Sequence, residues 1–426
     1  MNLQGQQVAV IGLGKSGVAA AALCRRRGAI VSAYDAKPPE QISEAALALA
    51  DSGVKLLHGE LRADWLAAMT TIVLSPGVPE RQLAKVLGRV PDGIISELDL
   101  AARYLDAPIA LVGGTNGKST VTAWVSDMLT KSSQRVFTGG NFGTPLCAAI
   151  GDPYDSLVVE ISSFQAEHVP TLRARVHALL NISEDHLDRY DSFADYAMAK
   201  GNPFANMAAS DVAVLPAGDP GCAAQAARGG ARAVTFGIGP AAADVSPDST
   251  EIIDRVRQHR YPLSELRMRG RHNVANACAA IAVAAELGAT TEAIAQSLMT
   301  FEGLAHRHVL VAEIDGVSYY DDSKATNVGA AVAALRGLDE PRAVLIAGGR
   351  DKFGAFESLV EALRDRGRGL VTIGEAAERL REAVGAVVPV EHAGNMVDAV
   401  DRAASMARAG EAVLLSPACS SFDMFD

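Results

Sequence analysis

Short apolar, β-branched runs alternate with Ala-rich stretches of helical period along almost the whole chain. The run VAVI (Val8–Ile11) leads into GVAAAALCRRRG, which leads into AIVSAYD. Repeated alternation of this kind predicts βαβ units, and hence parallel sheets with helices on both faces. Further strands are expected at IALV after Pro108, SLVVE (Ser156–Glu160), VHALLNI (Val176–Ile182), AVLIAGG (Ala343–Gly349), GLVTIG (Gly369–Gly374) and AVLLSPA (Ala412–Ala418). A helix is expected from Asn273 to Gly288, and AAADVSPDST (Ala241–Thr250) reads as a surface turn between strands. At 426 residues the chain exceeds one ordinary core. The pattern divides it into three blocks: residues 1–96, 97–303 and 304–426.

Composition narrows the class. Hydrophobic residues make up 49% and charged residues 21%, as in a soluble globular protein. Apolar runs are interrupted well before membrane-spanning length, and the N-terminus enters a strand without a basic leader, so a cytoplasmic protein without membrane segments is expected. Five cysteines with no CxxC pair suggest buried thiols in a reducing compartment rather than disulfides or zinc. A formal net charge of -11 argues against a nucleic-acid partner.

Two glycine-rich turns follow strands and open helices. The first, GLGKSG (Gly12–Gly17), is followed by Asp35 at the end of the next strand. The residues alone read as a dinucleotide fingerprint, as in an NAD-dependent oxidoreductase, or as a tight turn without ligand. The second, GGTNGKST (Gly113–Thr120), has Val112 where the strict P-loop spacing demands glycine. Its chemistry still fits a phosphate loop. Backbone N–H groups from Gly114 through Thr115, Asn116 and Gly117 to Lys118 would cradle phosphate oxygens, Lys118 would supply a point charge, and Ser119 could hold magnesium. Glu160 ends a hydrophobic strand, where it is either a magnesium ligand or a cap for the SSFQ turn. NISEDHLDRY sets His186 among Glu184, Asp185 and Asp188, as a solvated cluster or a metal or catalytic site. Three polar turns after strands, DDSKATN (Asp321–Asn327), GGRDK (Gly348–Lys352) and SPACSS (Ser416–Ser421), are expected to face one cleft.

Taken in order, GLGKSG, LSPGV, GGTNGKST, GNFGTP, EISSFQ, NISEDHLDRY, GRHNVANACAA, GLAHRH, DDSKATN, GGRDK and SPACSS resemble the Mur ligase family over essentially the whole chain. DDSKATN and SSFQ favour the branch that adds D-glutamate over its sister ligases and over folylpolyglutamate synthase, which stand as alternatives. The implied fold is α/β in three domains: a Rossmann-like N-terminal domain, a central P-loop ATPase-like parallel sheet and a Rossmann-like C-terminal domain. The implied activity is ATP-dependent amide formation in peptidoglycan precursor synthesis, through an acyl phosphate, by a monomer with two magnesium ions. The implied substrates are UDP-N-acetylmuramoyl-L-alanine and D-glutamate.

Position by position, the resemblance puts Gly14, Lys15, Ser16, Ala36, Lys37, Ser75, Gly77 and Asn141 along the UDP substrate. It puts Lys118, Ser119 and Thr120 on ATP phosphates, with Glu160 on the first magnesium. His186 and an N-carboxylated Lys200 would hold the second, a role in which the carbamate replaces a repelling ammonium with an anionic oxygen. Lys118, His186 and Lys200 form the implied catalytic set. Asn273 and Asn276 lie near adenine, Arg307, Asp322 and Lys324 bring the third block onto ATP, and Thr326, Lys352, Ser421 and Phe422 receive D-glutamate. Three departures from the family pattern stand out. GNPF after Lys200 is expected to break the helix and loosen that lysine. VLPAGDP lacks the polar residues common there. The chain stops at Phe425-Asp426 where the family continues, so either a truncated C-terminal domain or an incomplete D-glutamate site is expected, with reduced activity.

Overall fold

The computed structural model describes residues 2–187, 189–239, 243–268, 270–350 and 355–420. The alternating pattern resolves into three sheets. The first comprises β1 (Gln7–Ile11), β2 (Ile30–Asp35), β3 (Lys55–His58), β4 (Thr71–Leu74) and β5 (Ile94–Ile95), all parallel in the order β3-β2-β1-β4-β5. The second runs through β6 (Ile109–Gly113), β7 (Val136–Gly140), β8 (Ser156–Glu160), β9 (Val176–Leu179), β10 (Val212–Pro216), β11 (Arg232–Phe236), β12 (Val245–Pro247), β13 (Glu251–Asp254) and β14 (His259–Pro262). Its order is β14-β13-β12-β11-β10-β9-β6-β8-β7, and only β12-β13-β14 is antiparallel. The third contains β15 (Val309–Ile314), β16 (Val317–Asp321), β17 (Ala343–Gly348), β18 (Gly367–Ile373), β19 (Val390–His392) and β20 (Ala412–Ala418). It is ordered β15-β16-β20-β17-β18-β19, with an antiparallel β15-β16 edge.

β6 and β8 are buried at every position, as expected of central parallel strands covered on both faces. The helix Lys118–Lys131 covers one face, with Trp124 wholly buried and stacked on Phe301 at 5.2 Å between ring centres. All five cysteines are buried. No helix among the described residues is long and apolar enough to cross a membrane.

Several sequence expectations shift. The strand expected to reach Ile182 ends at Leu179, and the helix expected at Asn273 begins at Arg271 and ends at Glu286. Within the stretch read as a surface turn, Val245–Pro247 is a strand, because Val245 is buried between Phe236 and Asp254 and continues the sheet. Residues 241 and 242 lie outside the described residues.

The first and second sheets share one apolar core. Val8 and Val10 of β1, Leu98 and Leu100 of the helix Glu97–Ala102, and Leu157 and Val159 of β8 belong to the same buried cluster. Asp99 secures that joint. It is wholly buried and accepts from both Arg103 Nε and Nη2, from Thr171 Oγ1, and from the backbone N–H groups of Thr171 and Leu172 at 2.7 Å each. Removing it takes the acceptor from the buried Leu172 N–H and from the Thr171 N–H, and the carboxylate from Arg103. Asp99→Ala is therefore expected to cost about 3 kcal/mol, read as a lower urea midpoint, with Asp99→Asn losing less.

Candidate active site

Four neighbouring strands of the second sheet, β9-β6-β8-β7, run parallel, so their carboxyl ends converge on one crevice. Open α/β sheets bind ligands at this edge. β6 delivers the phosphate-loop sequence, β8 delivers Glu160, β7 delivers Asn141, and β9 leads into Asn181 and His186. The loop depends on glycine at two positions: Gly114 has φ 139° and Gly117 has φ 85°. Gly117 starts the helix Lys118–Lys131 with no side-chain cap, which leaves the helix N–H groups facing the crevice.

Side chains brace this loop from below. Asn181 Oδ1 accepts the N–H of Asn116 at 2.9 Å and of Thr115 at 3.2 Å, and its Nδ2 donates to Asn116 O at 3.0 Å. Thr115 Oγ1 lies 3.0 Å from the Tyr196 hydroxyl. Sequence reasoning missed both residues. Asn181 carried one available signal, its place just past a strand's carboxyl end, whereas Tyr196 looked like any helix aromatic.

Glu160 does not cap the SSFQ turn. That turn is closed by Ser162 and Gln165 in a reciprocal capping box. The Glu160 carboxylate is left to accept Ser119 Oγ at 2.5 Å and Asn141 Nδ2 at 2.7 Å. Ser119 also accepts from Arg307 Nη2 at 2.9 Å, a contact from the C-terminal domain. An adjoining serine hydroxyl and carboxylate on a phosphate loop form the oxygen set that suits magnesium, which takes few protein ligands and fills the rest with phosphate and water. Among the described residues, no group of three or more His, Cys, Asp or Glu side chains could hold a metal by itself.

Two lysines meet at adjacent loop carbonyls. Lys118 Nζ donates to Thr115 O at 2.8 Å, and Lys200 Nζ to Gly114 O at 2.7 Å. The helix bearing Lys200 ends at Gly201 and gives way to a 3-10 turn containing Pro203, so the expected break is present. Lys200 is not loosened by it. The residue is 4% exposed and its Nζ lies over the Tyr196 ring, 4.6 Å from the centroid. Burial first, and then the Lys118 charge, push its amine well below the usual lysine range, against the pull of Asp185 and Glu160. His186 adopts a left-handed φ of 55°, and its ring sits edge-on to Phe164 at 4.8 Å. As an amine, Lys200 does not suit a cation, so the second expected metal position fits only a carboxylated lysine.

The other expected residues separate into groups. Asn273 and Asn276 lie one turn apart on the helix Arg271–Glu286, and a Cβ added to Gly117 would sit 2.7 Å from Asn276 Oδ1. Asp322 accepts from Ser416 Oγ at 3.2 Å and from the His308 N–H at 3.1 Å; burial pushes its carboxyl up to about 7, opposed first by the Ser416 hydroxyl. Lys324 is exposed and Thr326 half-buried. The ends of β16, β20 and β17 are adjacent, and the Arg350 N–H bonds Ser420 O at 2.6 Å, so the three polar turns do gather at one edge. Lys352, Ser421 and Phe422, like Asp188, lie outside the described residues.

In the first sheet, Asp35 does not stand free for a ribose. Its Oδ2 accepts the Leu13 N–H at 2.7 Å, and its Oδ1 the Lys37 N–H at 3.0 Å. Ser75 Oγ donates to Gly12 O at 2.7 Å, which joins the LSPGV turn to the glycine loop. Gly14, Lys15, Lys37 and Gly77 are exposed around these turns, with Ser16 half-buried and Asn141 exposed across the crevice. A cleft of about 910 Å3 opens beside them, lined by Tyr34, Asp35, Ala36, Arg62, Gln82 and Lys85 among others. Of the expected UDP residues only Ala36 lines it.

Comparison with known proteins agrees with this arrangement. Residues 6–87 match the Mur ligase MurD-like N-terminal domain, 112–284 the Mur ligase middle domain, and 306–419 the Mur ligase glutamate ligase domain. The chain is 41% identical to the UDP-N-acetylmuramoylalanine--D-glutamate ligase of Desulfosudis oleivorans, covering 99% of this chain and 94% of that one. It is 43% identical to the enzyme of the same name from Anaeromyxobacter dehalogenans, covering 99% and 95%. Among solved structures, MurF ligase from Thermotoga maritima in complex with ADP superposes with a TM-score of 0.62 at 17% identity, covering 97% of this chain and 92% of that one. A pseudomurein peptide ligase type C from Methanothermus fervidus gives 0.62 at 20%, covering 96% of each. With three domain matches in the order of its three sheets, the chain belongs to the Mur ligase family, whose members are ATP-dependent enzymes that form amide bonds.

Proposed function

We propose that the protein joins D-glutamate to UDP-N-acetylmuramoyl-L-alanine at the expense of ATP. The observation that carries the reading is the phosphate loop Gly113–Thr120, with Ser119 paired to Glu160 and reached by Arg307 from the C-terminal domain. The likeness to relatives named for this reaction, at about 40% identity over nearly full length, supports the choice of substrates. In this reading residues 1–96 bind the UDP substrate, 97–303 bind ATP, and 304–426 bind the acceptor.

A carboxylate oxygen of the alanyl group attacks the γ-phosphorus of ATP, the bridging P–O bond breaks, and ADP leaves. The amine of D-glutamate then adds to the acyl phosphate carbon, loses a proton, and the tetrahedral species expels phosphate. The N–H groups from Gly114 to Lys118 and the Lys118 ammonium hold the phosphates in line. Arg307 adds a guanidinium once the C-terminal domain is in place. Magnesium, held by Ser119 and Glu160, would offset charge on the transferring phosphoryl group. Asn273 and Asn276 are assigned to the adenine, and Thr326, Lys352, Ser421 and Phe422 to the acceptor, by the family resemblance. Burial beside Lys118 depresses the Lys200 amine and so favours the uncharged form, which is the form that takes up carbon dioxide. The resulting carbamate, with His186, would serve a second magnesium.

Three outcomes are expected. Phosphate release from UDP-N-acetylmuramoyl-L-alanine, ATP and magnesium should require D-glutamate; release that ignores it sinks the acceptor assignment. Lys118→Ala should abolish turnover and leave UDP-substrate affinity within about twofold, because the two glycine loops belong to different sheets; a drop in both would refute the division. Labelled bicarbonate should give a carbamate carbon resonance in the wild type that fades as pH falls, since protons return to the amine, and none in Lys200→Arg.

A further inference from the structure

Asn327 starts the helix Val328–Gly337 in the C-terminal domain, and its Oδ1 accepts the Ala330 N–H at 2.8 Å. Its amide nitrogen points across the domain boundary and donates to Asn116 Oδ1 at 2.9 Å and to Asp185 Oδ2 at 3.2 Å. The orientation of the amide is fixed chemically, because one end faces a backbone N–H and the other a carboxylate. Asn327 is 9% exposed, so both bonds are sheltered from water.

The two acceptors belong to different parts of the crevice. Asn116 sits in the phosphate loop, where Asn181 holds its backbone. Asp185 uses its other oxygen, Oδ1, to accept the His186 N–H at 2.9 Å. One side chain of the C-terminal domain thus touches the phosphate loop and the His186 turn at once. The approach is close: a Cβ added to Gly329 would lie 3.3 Å from Asn116 Nδ2 and 3.5 Å from Ser183 Oγ. Arg307, the other crossing contact at the loop, ends on Ser119 beside the Glu160 carboxylate and so answers to the charges of the site. Asn327 is uncharged and joins two protein side chains, Asn116 and Asp185. Its bonds exist when the two domains meet and are exchanged for water when they part.

We propose that Asn327 is the latch of domain closure, a positioning residue that holds the phosphate loop and the Asp185–His186 turn in register with the C-terminal domain. The proposal rests on the reading of Gly113–Thr120 as the nucleotide loop. It assigns to the last residue of DDSKATN a task separate from binding ATP or acceptor. The latch couples closure to nucleotide binding in both directions, since whatever stabilises the closed form must bind that form more tightly.

Asn327→Asp tests this selectively. Aspartate caps a helix as well as asparagine does, so the helix keeps its start. The donor alone is replaced, by an oxygen that faces a carboxylate and an amide oxygen. The expected result is an unchanged unfolding midpoint, at least about tenfold weaker affinity for the non-hydrolysable analogue β,γ-imido-ATP, and a more extended small-angle scattering profile with that analogue bound. In turnover, kcat falls together with a raised KM for ATP. The exchange Asp185→Asn with Asn327→Asp restores a donor facing an acceptor and should recover analogue affinity relative to Asn327→Asp alone. Wild-type affinity and compaction in Asn327→Asp would overturn the latch, and so would an exchanged pair that binds no tighter than the single variant. Analogue affinity and compaction need no acceptor. They are therefore read apart from D-glutamate-dependent phosphate release by the unsubstituted protein, which judges the ligase reading.

Discussion

Two lysine side chains resting on consecutive carbonyls of one loop set the terms for the rest of the molecule. Lys118 and Lys200 bond Thr115 O and Gly114 O, at the uncapped start of a helix. The helix start and the Lys118 ammonium are positive, and the buried Lys200 amine is pushed well below the usual lysine range beside them. Such a site is stable only if its positive groups are neutralised, deprotonated or matched by incoming anions. Glu160, at the end of β8, and Asp185, on the loop that follows β9, supply part of the match, and the parallel sheet brings the two together. A nucleotide triphosphate supplies what the protein withholds, which makes the loop a binding site rather than a salt-bridged core.

The same constraint explains why the parallel order of β9-β6-β8-β7 matters more than any single motif. Were β8 antiparallel to β6, Glu160 would fall at the opposite edge and Ser119 would face no carboxylate. The first sheet solves a different problem with similar parts. Asp35 and Ser75 are spent on the glycine loop itself, through Leu13 N–H and Gly12 O. Gly17 must be glycine because a Cβ there would lie 1.8 Å from Gly12 O. The glycine fingerprint therefore encodes a tight strand-to-helix turn, and the ligand is chosen by what lines the neighbouring cleft.

Local rules made part of this legible. Strand-turn-helix punctuation located both glycine loops, and the carboxyl-end rule picked out Glu160 and the three polar turns of the C-terminal domain. Residues whose role depends on distant packing were invisible to those rules. Lys200 reads as a surface lysine because nothing in AMAKGNPF announces that its helix lies under the phosphate loop, and it became a candidate only through family resemblance. The break after it was foreseen, yet its consequence was misjudged: Gly201 and Pro203 end the helix, but Tyr196 and the Gly114 carbonyl hold the side chain. Val245–Pro247 was taken for a turn because a three-residue strand owes its place to neighbours rather than to its own sequence. Asn181 and Tyr196 went unnoticed for the same reason.

Contacts across the domain boundary complete the chemistry, and they divide by kind. Arg307 brings a fixed charge to Ser119, beside the carboxylate that a cation would share. His272 and His308 meet as rings 5.3 Å apart, both held below the usual histidine range, chiefly by burial, and so packed as neutral, largely apolar surfaces. His306 and His308, on either side of Arg307, take left-handed φ values of 64° and 54°, a conformation that side chains adopt only where surrounding contacts impose it. The arginine is thus carried on a segment held by Asp321, Asp322 and Lys324 of its own domain, with the His308 ring against His272 of the central one. A charge delivered this way reaches the loop when the crevice is covered, where its field is least screened by water and its effect on a transferring phosphoryl group is greatest.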